Sequence, residues 1–278
     1  MKHILLPTDF SENSMNAMDY AMQLFKGETC HFYLLNVQKS SGYITDDLLT
    51  ADTNGSIYNA IASDNKKQLH TLLESFKKKY PEPNYHWHSL FDYDGFTAAV
   101  NQVISTKNID LIVMGTNGAT GAKETLFGSN TLQVVRNVKC PVLIIPEEYT
   151  FTALSSILFS TAHCKELKQE AVKILKYLTK RYDAMLHILN IHQNRNEPEH
   201  ENDSSLSSVL ENLVYKEYTM KGIPIPFAVE SFEQLIPVEM HVMFTPKESF
   251  LDRFLFGSDT TRISYRSNVP LLFLHKTA

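Results

Sequence analysis

An internal repeat constrains the fold of this 278-residue chain more than any other feature of its sequence. Four segments recur in the same order in the two halves, which is the mark of a duplicated structural unit. The matched pairs are residues 4–9 with 157–162, 34–38 with 188–192, 126–131 with 255–260, and 137–145 with 267–274. The join falls in the polar stretch after residue 145, so we expect two domains, residues 1–146 and residues 152–278.

Strand and helix periods alternate along the first half. Apolar or alternating runs predict strands at residues 3–8, 31–37, 84–91, 109–114 and 141–145. Helices are predicted between them, from Ser11 or Asn13 to Phe25, from about Tyr58 to Lys79, and from Gly95 to Lys107. This alternation favours an α/β fold with a parallel sheet and right-handed crossovers.

The second half follows the same plan with one predicted deletion. Its third strand is predicted at about residues 225–231, and the next strand begins near Glu239. The gap between them is too short for an ordinary parallel crossover, which needs a dozen or more residues. We therefore expect the helix that corresponds to residues 95–107 to be reduced to a turn or missing.

Composition narrows the classes of function. Hydrophobic residues make up 43% of the chain and charged residues 21%, and the net charge is −5 without a basic block. This balance does not favour nucleic acid as a partner. Apolar runs stay well short of the roughly 20 residues that span a bilayer, so no membrane association is expected. The three cysteines show neither metal-type spacing nor an even disulfide framework, and we expect a cytoplasmic protein.

Glycines and one acid mark a candidate ligand site in the first half. Gly115 and Gly118 follow the fourth strand, and they carry no side chain to keep a ligand from the backbone. Gly128 and Ser129 open the next helix, where free N–H groups and the helix dipole favour an anion. Asp9 ends the first strand, and it meets Gly115 if the first and fourth strands are neighbours. The spacing is neither that of a Walker A loop nor that of the dinucleotide-binding glycine fingerprint.

Histidines offer a weaker candidate. His86 and His88 flank Trp87 and lie on one face of a predicted strand, which suggests a metal site. A zinc site needs at least a third protein ligand, and none is nearby in the sequence. Exposed edge histidines are therefore the favoured interpretation. No Ser-His-acid set can be proposed from residue order alone.

Three segments together resemble the universal stress protein family. They are Pro7-Thr8-Asp9, the Gly-x2-Gly-x9-Gly-Ser spacing from Gly115 to Ser129, and the Cys-Pro-Val-Leu of residues 140–143. The resemblance covers both halves, so the chain is identified as a tandem member. It implies, for each half, a five-stranded parallel sheet of order 3-2-1-4-5. In this family ATP is expected in the crevice between the first and fourth strands, which here is the crevice of the first half.

The resemblance also implies roles for individual residues of the first half. Asp9 and the backbone of Val37 are expected at the adenosine, next to Pro7 and Thr8, and Met114 and Gly115 are expected to line the nucleoside pocket. The residues expected to hold the phosphates are Gly118, Gly128, Ser129 and Asn130. Any Mg²⁺ is expected to be held by the phosphates, because no protein cage for a metal is visible in the sequence.

The second half departs from this pattern. Ala162 stands in the place of the acid, and Phe244 and Lys247 stand in the places of the first two glycines. Gly257-Ser258 survives, and a helix cap is its favoured role. The sequence therefore predicts one adenine nucleotide per chain, in the first half. The two halves are expected to pack through their last strands, which are apolar and otherwise open edges.

Three classes of function follow from these features. The favoured one is an ATP-binding regulatory protein of the stress response, whose protein partner the sequence does not identify. The alternative is a slow ATPase or nucleotidyl-transfer enzyme that uses the same site, although no dedicated base or second acid is evident. An interaction module without a ligand is disfavoured by the intact Asp9 and glycine set. A homodimer is compatible with the sequence.

Overall fold

Ten strands form one continuous sheet across both halves of the chain. The computed structural model describes residues 2–38, 56–93, 95–116, 127–161, 167–192, 204–245 and 268–276. The strands of the first half are β1 (Lys2–Pro7), β2 (Cys30–Val37), β3 (Tyr85–Asp92), β4 (Leu111–Gly115) and β5 (Val142–Ile145). Those of the second half are β6 (Ser156–Thr161), β7 (Met185–His192), β8 (Tyr215–Lys221), β9 (Met240–Thr245) and β10 (Leu271–His275).

Helices lie between most of the successive strands. In the first half they are α1 (Glu12–Leu24), α2 (Ser56–Lys79), α3 (Phe96–Lys107) and α4 (Ser129–Asn137), and in the second half α5 (Lys173–Tyr182), α6 (Ser204–Val209) and α7 (Ile225–Leu235). Local sequence sets their ends. The Ser11 side chain accepts a hydrogen bond from the backbone N–H of Ser14 at the start of α1, and Asn108 ends α3 in the left-handed conformation.

Each half has the strand order 3-2-1-4-5, as the resemblance implied. The whole sheet reads β3-β2-β1-β4-β5-β10-β9-β6-β7-β8, and β5 pairs with β10 in the antiparallel sense. Leu143 lies opposite Leu272 at the centre of that pairing, so a local two-fold axis relates β5 to β10. This confirms the prediction that the halves join through their last strands. Pairing removes two apolar edges that would otherwise be exposed.

Buried side chains cover both faces of the sheet. Ile4 and Leu6 of β1 point to one face and Leu5 points to the other, and all three are fully buried. Such strands read as nearly continuous apolar runs, which is the pattern of a parallel sheet with helices on both faces. The core on the face of Ile4 and Leu6 includes residues of both halves. Within it, Phe25 of the first half stacks on Tyr177 of the second half, with ring centroids 6.3 Å apart.

The prediction of a missing helix in the second half is wrong. Residues 225–235 form α7, and the third strand is β8, which lies earlier in the chain. The burial of α7 follows helical spacing, with Ile225, Ala228, Val229 and Phe232 on its inner face, and Pro226 is accommodated in the first turn. The strand was missed because β8 is a polar edge strand without the apolar run of its neighbours.

Candidate functional site

The candidate site lies at the carboxyl ends of β1 and β4, which are adjacent parallel strands. The register pairs Ile4 with Leu111 and Leu5 with Ile112. If this register continues for three more residues, Thr8 lies beside Gly115, and Asp9 lies just beyond the sheet. The condition for Asp9 and Gly115 to lie at one edge is therefore met. From β1 the chain continues through α1 to β2 on one side, while β4 lies on the other. Such a switch in strand order is where open α/β sheets bind ligands.

Thr8 is buried and anchors the loop that carries the acid. Its backbone N–H donates to the carbonyl of Leu35 at 2.8 Å, and its carbonyl accepts from the Asn36 side chain at 2.8 Å. Its hydroxyl lies 2.9 Å from the Ser14 hydroxyl and accepts from the Phe10 N–H at 3.0 Å. These bonds tie the end of β1 to β2 and to α1. The loop therefore has little freedom to move relative to the sheet.

Asp9 is exposed at the rim of this loop. The Ser11 hydroxyl donates to its Oδ1 at 2.6 Å, and the Ser11 N–H donates to the same oxygen at 3.1 Å. Phe10 adopts a left-handed backbone with φ 65°, which turns the chain sharply between Asp9 and α1. The carboxylate is thus held in a defined direction while staying accessible to solvent.

Gly115 is required for helix packing. A Cβ built at Gly115 would lie 2.9 Å from the backbone oxygen of Asn13, closer than real Cβ contacts come. Its φ is not in the left-handed region. The first turn of α1 therefore occupies the space that a side chain would need. The sequence predicted that this glycine lets a ligand approach the backbone, and it did not reveal the packing role.

The start of α4 faces the same edge. Gly128 occupies the N-cap position with extended backbone and no side chain to cap the helix, and Ser129 and Asn130 are exposed. The Gly128 N–H donates to the Thr116 carbonyl at 2.8 Å, and the Thr131 hydroxyl reaches the Gly115 carbonyl at 3.1 Å. The first N–H groups of a helix have no intrahelical acceptor. This helix start can therefore receive an anion.

The remaining predicted residues are placed as follows. Pro7 is buried at the end of β1, opposite Leu35 of β2. Val37 is half-buried at the end of β2, and Met114 is buried near the end of β4. Gly118 lies outside the described residues. The structure thus brings all the predicted residues that it describes to the carboxyl edge of β1, β2 and β4 or to the start of α4.

The second half has a side chain where the first half has Gly115. In the first half Gly115 pairs with Ile145 of β5, and in the second half Phe244 pairs with Leu274 of β10. The pairing of Leu143 with Leu272 makes Ile145 and Leu274 equivalent. Phe244 is 1% exposed and fills the position in the core. The other second-half positions compared with the motif lie outside the described residues. They are Ala162, Lys247, Gly257 and Ser258.

A buried polar group that sequence order did not reveal lies in the second half. The Ser160 hydroxyl is 2.7 Å from Nε2 of His241, and Nδ1 of His241 is 3.4 Å from Oε1 of Glu233. Burial lowers the pKa of His241 to about 3, so the imidazole is neutral. Ser160 is 1% exposed and cannot be reached by a substrate. The set therefore packs α7 against the sheet.

The described residues provide neither a preformed metal site nor a helix that could cross a membrane. Within the ranges given above, no three His, Cys, Asp or Glu side chains form a group that could hold a metal ion as they are placed. Of the helices in that part of the chain, none combines the length and the apolar character needed to cross a membrane.

Similar proteins place the chain in a family. The universal stress protein MJ0531 of Methanocaldococcus jannaschii is 30% identical over 147 residues, which cover 52% of this chain and 81% of that protein. The universal stress protein YxiE of Bacillus subtilis is 27% identical over 148 residues, covering 51% of this chain and 97% of its own. A universal stress protein from Archaeoglobus fulgidus has the same fold over 99% of this chain and 96% of its own, with a TM-score of 0.70 at 19% identity.

The family profile itself gives the decisive match. The profile of the universal stress protein family covers residues 1–146, which is more than half of the 278 residues. The strand order agrees with what the resemblance implied, and the helix that follows β4 begins at the Gly128-Ser129 of the motif. The chain belongs to the universal stress protein family, whose proteins act in the stress response.

Proposed function

We propose that the chain binds ATP in the crevice of its first half and acts as a nucleotide-dependent regulator in the stress response. One observation carries the proposal. The exposed carboxylate of Asp9 and the uncapped start of α4 lie at the same edge of the sheet, at the β1/β4 switch in strand order. The first suits hydroxyl or amino donors, and the second suits phosphates.

The Asp9 carboxylate suits the nucleoside end of the ligand. Two hydrogen bonds from Ser11 orient one carboxylate oxygen. A ribose hydroxyl is a donor that such a carboxylate accepts well, because a hydrogen bond to a charged group is stronger than a neutral one. The backbone of Val37, the last residue of the neighbouring strand β2, suits the adenine ring.

The start of α4 favours the phosphate end. Ser129 and Asn130 are exposed, and their N–H groups belong to the first turn of the helix. Hydrogen bonds from Thr131 to the carbonyls of Gly115 and Thr116 hold that turn against β4. Mg²⁺, which prefers oxygen ligands and keeps several waters, would be held by the phosphate oxygens.

The experiment that tests the proposal measures ATP binding by the full chain. Calorimetry with ATP and Mg²⁺ should show binding by the unsubstituted chain. Asp9→Asn should weaken it by roughly 10- to 100-fold, the worth of a hydrogen bond to a charged group. Asp64→Asn changes an exposed aspartate on α2 and should leave the affinity unchanged.

Nucleotide identity is settled by a second measurement. Chromatography of the small molecules released on denaturing the purified protein should detect adenine nucleotide. Absence of both released nucleotide and calorimetric binding would refute the proposal. Equal loss of affinity in Asp9→Asn and Asp64→Asn would refute the role of Asp9.

A further inference from the structure

Four histidines come together at the edge of the sheet opposite the crevice. His3 is on β1, His31 is on β2, and His86 and His88 are on β3. Each strand contributes them near its amino end, whereas the candidate nucleotide site lies at the carboxyl ends. Their side chains share one face of the sheet with Leu5 and Tyr33, because residues two apart on a strand point the same way.

The register explains why these histidines meet. His3 pairs with His31, and His31 pairs with His86, so three imidazoles form a row across three neighbouring strands. His88 lies one step further along β3, next to Tyr33. Neighbouring strands lie about 4.8 Å apart and same-face residues on one strand about 6.5 Å apart. The backbone positions of His31, His86 and His88 therefore form a small triangle.

The rings are in direct contact. Nδ1 of His31 is 3.0 Å from Nε2 of His88. The ring centroids of His31 and His86 are 4.6 Å apart, and those of His3 and His31 are 4.9 Å apart. The Tyr33 hydroxyl lies 3.1 Å from Nδ1 of His3. The contact between His31 and His88 places two nitrogen atoms close enough to share one proton.

We propose that His31, His86 and His88 bind a divalent transition-metal ion of the Zn²⁺ class, with His3 beside them as a further imidazole. Two histidines separated by one residue on a strand, with a third on the neighbouring strand, supply the three imidazoles of a tris-histidine site. Imidazole nitrogen suits Zn²⁺, Cu²⁺ and Ni²⁺ better than it suits Mg²⁺ or Ca²⁺. The site is separate from any Mg²⁺ that ATP would bring.

Binding requires the rings to turn. They stack on one another, and no three of them are already oriented as metal ligands in the described structure. His86 is exposed, and His31 and His88 are only partly buried, so the rings have room to rotate.

Zinc retention by the full chain tests the proposal. The protein is loaded with Zn²⁺ without nucleotide, freed of excess ion by gel filtration, and its zinc content is measured by mass spectrometry. We expect one zinc ion per chain. The double variant His31→Gln/His88→Gln should bind zinc at least ~10-fold more weakly. His70→Gln removes an exposed histidine from α2 and should retain zinc like the unsubstituted chain.

Cobalt(II) absorption adds a readout of coordination. The unsubstituted chain should give the visible bands of a nitrogen-ligated, low-symmetry site, and the double variant should not. A chain that retains no zinc, a double variant that retains as much as the unsubstituted chain, or an equal loss in His70→Gln would each overturn the proposal. If the double variant loses cooperative thermal unfolding, His86→Gln replaces it, because that imidazole is exposed.

Discussion

Phe244 in β9 stands at the position that Gly115 occupies in β4. The two residues face equivalent partners, Leu274 and Ile145, in the strands that join the halves. Gly115 leaves room for the backbone of Asn13 at the start of α1, whereas the Phe244 ring is buried in the core. A turn of helix cannot approach β9 there as α1 approaches β4. The duplicated halves thus share strand order and differ at the edge where ligands bind.

One ATP per chain is the expected stoichiometry. The first half supplies an acid and an open helix start, and the second half carries Phe244 in the equivalent place. Calorimetric titration of the full chain should therefore give one site. Phe244→Leu, which changes the second half alone, should leave the number of sites and their affinity unchanged. Two ATP equivalents per unsubstituted chain would contradict this assignment.

Gly115→Ala should destabilise the first half. The added Cβ would lie 2.9 Å from the backbone oxygen of Asn13, which cannot move as easily as a side chain. Overpacking of this kind costs about 1–3 kcal/mol, measured as the free energy of unfolding in urea. Gly95→Ala is the matched control, because its Cβ meets nothing within 4 Å and its φ of −60° suits alanine. Equal losses in the two variants would show that the contact with Asn13 is not the cause.

Hydrolysis of ATP should be slow. The acid that follows β1, Asp9, already accepts two hydrogen bonds from Ser11 on one carboxylate oxygen. Phosphate release should therefore fall well below the median enzyme turnover of about 10 per second. A turnover near that median, lost in Asp9→Ala, would establish the enzyme alternative instead.

The stability of the chain should fall in acid because of His241. Burial lowers the pKa of its imidazole from 6.5 to about 3 in the folded state. Between pH 3 and pH 6.5 the unfolded chain binds a proton on His241 that the folded chain does not bind. The contribution of the neutral imidazole to the free energy of unfolding is therefore complete above pH 6.5 and is lost as the pH falls toward 3. This group adds at most ~1.4 kcal/mol per pH unit to the slope of the unfolding free energy.

His241→Gln isolates that contribution. Glutamine keeps hydrogen-bonding atoms near Ser160 but does not titrate, so the variant should show a shallower loss of stability between pH 6.5 and 4. Urea unfolding at several pH values measures the slope. His70→Gln, which changes an exposed histidine, should keep the slope of the unsubstituted chain. If the unfolding free energy of all three proteins had the same pH slope, His241 would bind its proton as readily in the folded chain as in the unfolded chain.

The sequence by itself determined the duplication, the class of fold and the position of the candidate site. The repeat predicted two units, and the buried apolar strands predicted a parallel sheet, because a strand covered on both faces needs apolar residues throughout. The apolar last strands also predicted that the halves join there, and the pairing of Leu143 with Leu272 confirms it. These features are local in the chain or follow from duplication, so they are visible without coordinates.

Tertiary structure decided the rest, because cross-strand register and helix approach join residues that are distant in the sequence. It assigned α7 to a segment predicted as a strand, because helical spacing buries Ile225 and Val229 on the same face of the segment. It gave Gly115 a packing role through Asn13, about a hundred residues earlier in the chain. It also set His31 beside His86 and His88, the third imidazole that the sequence around Trp87 lacked.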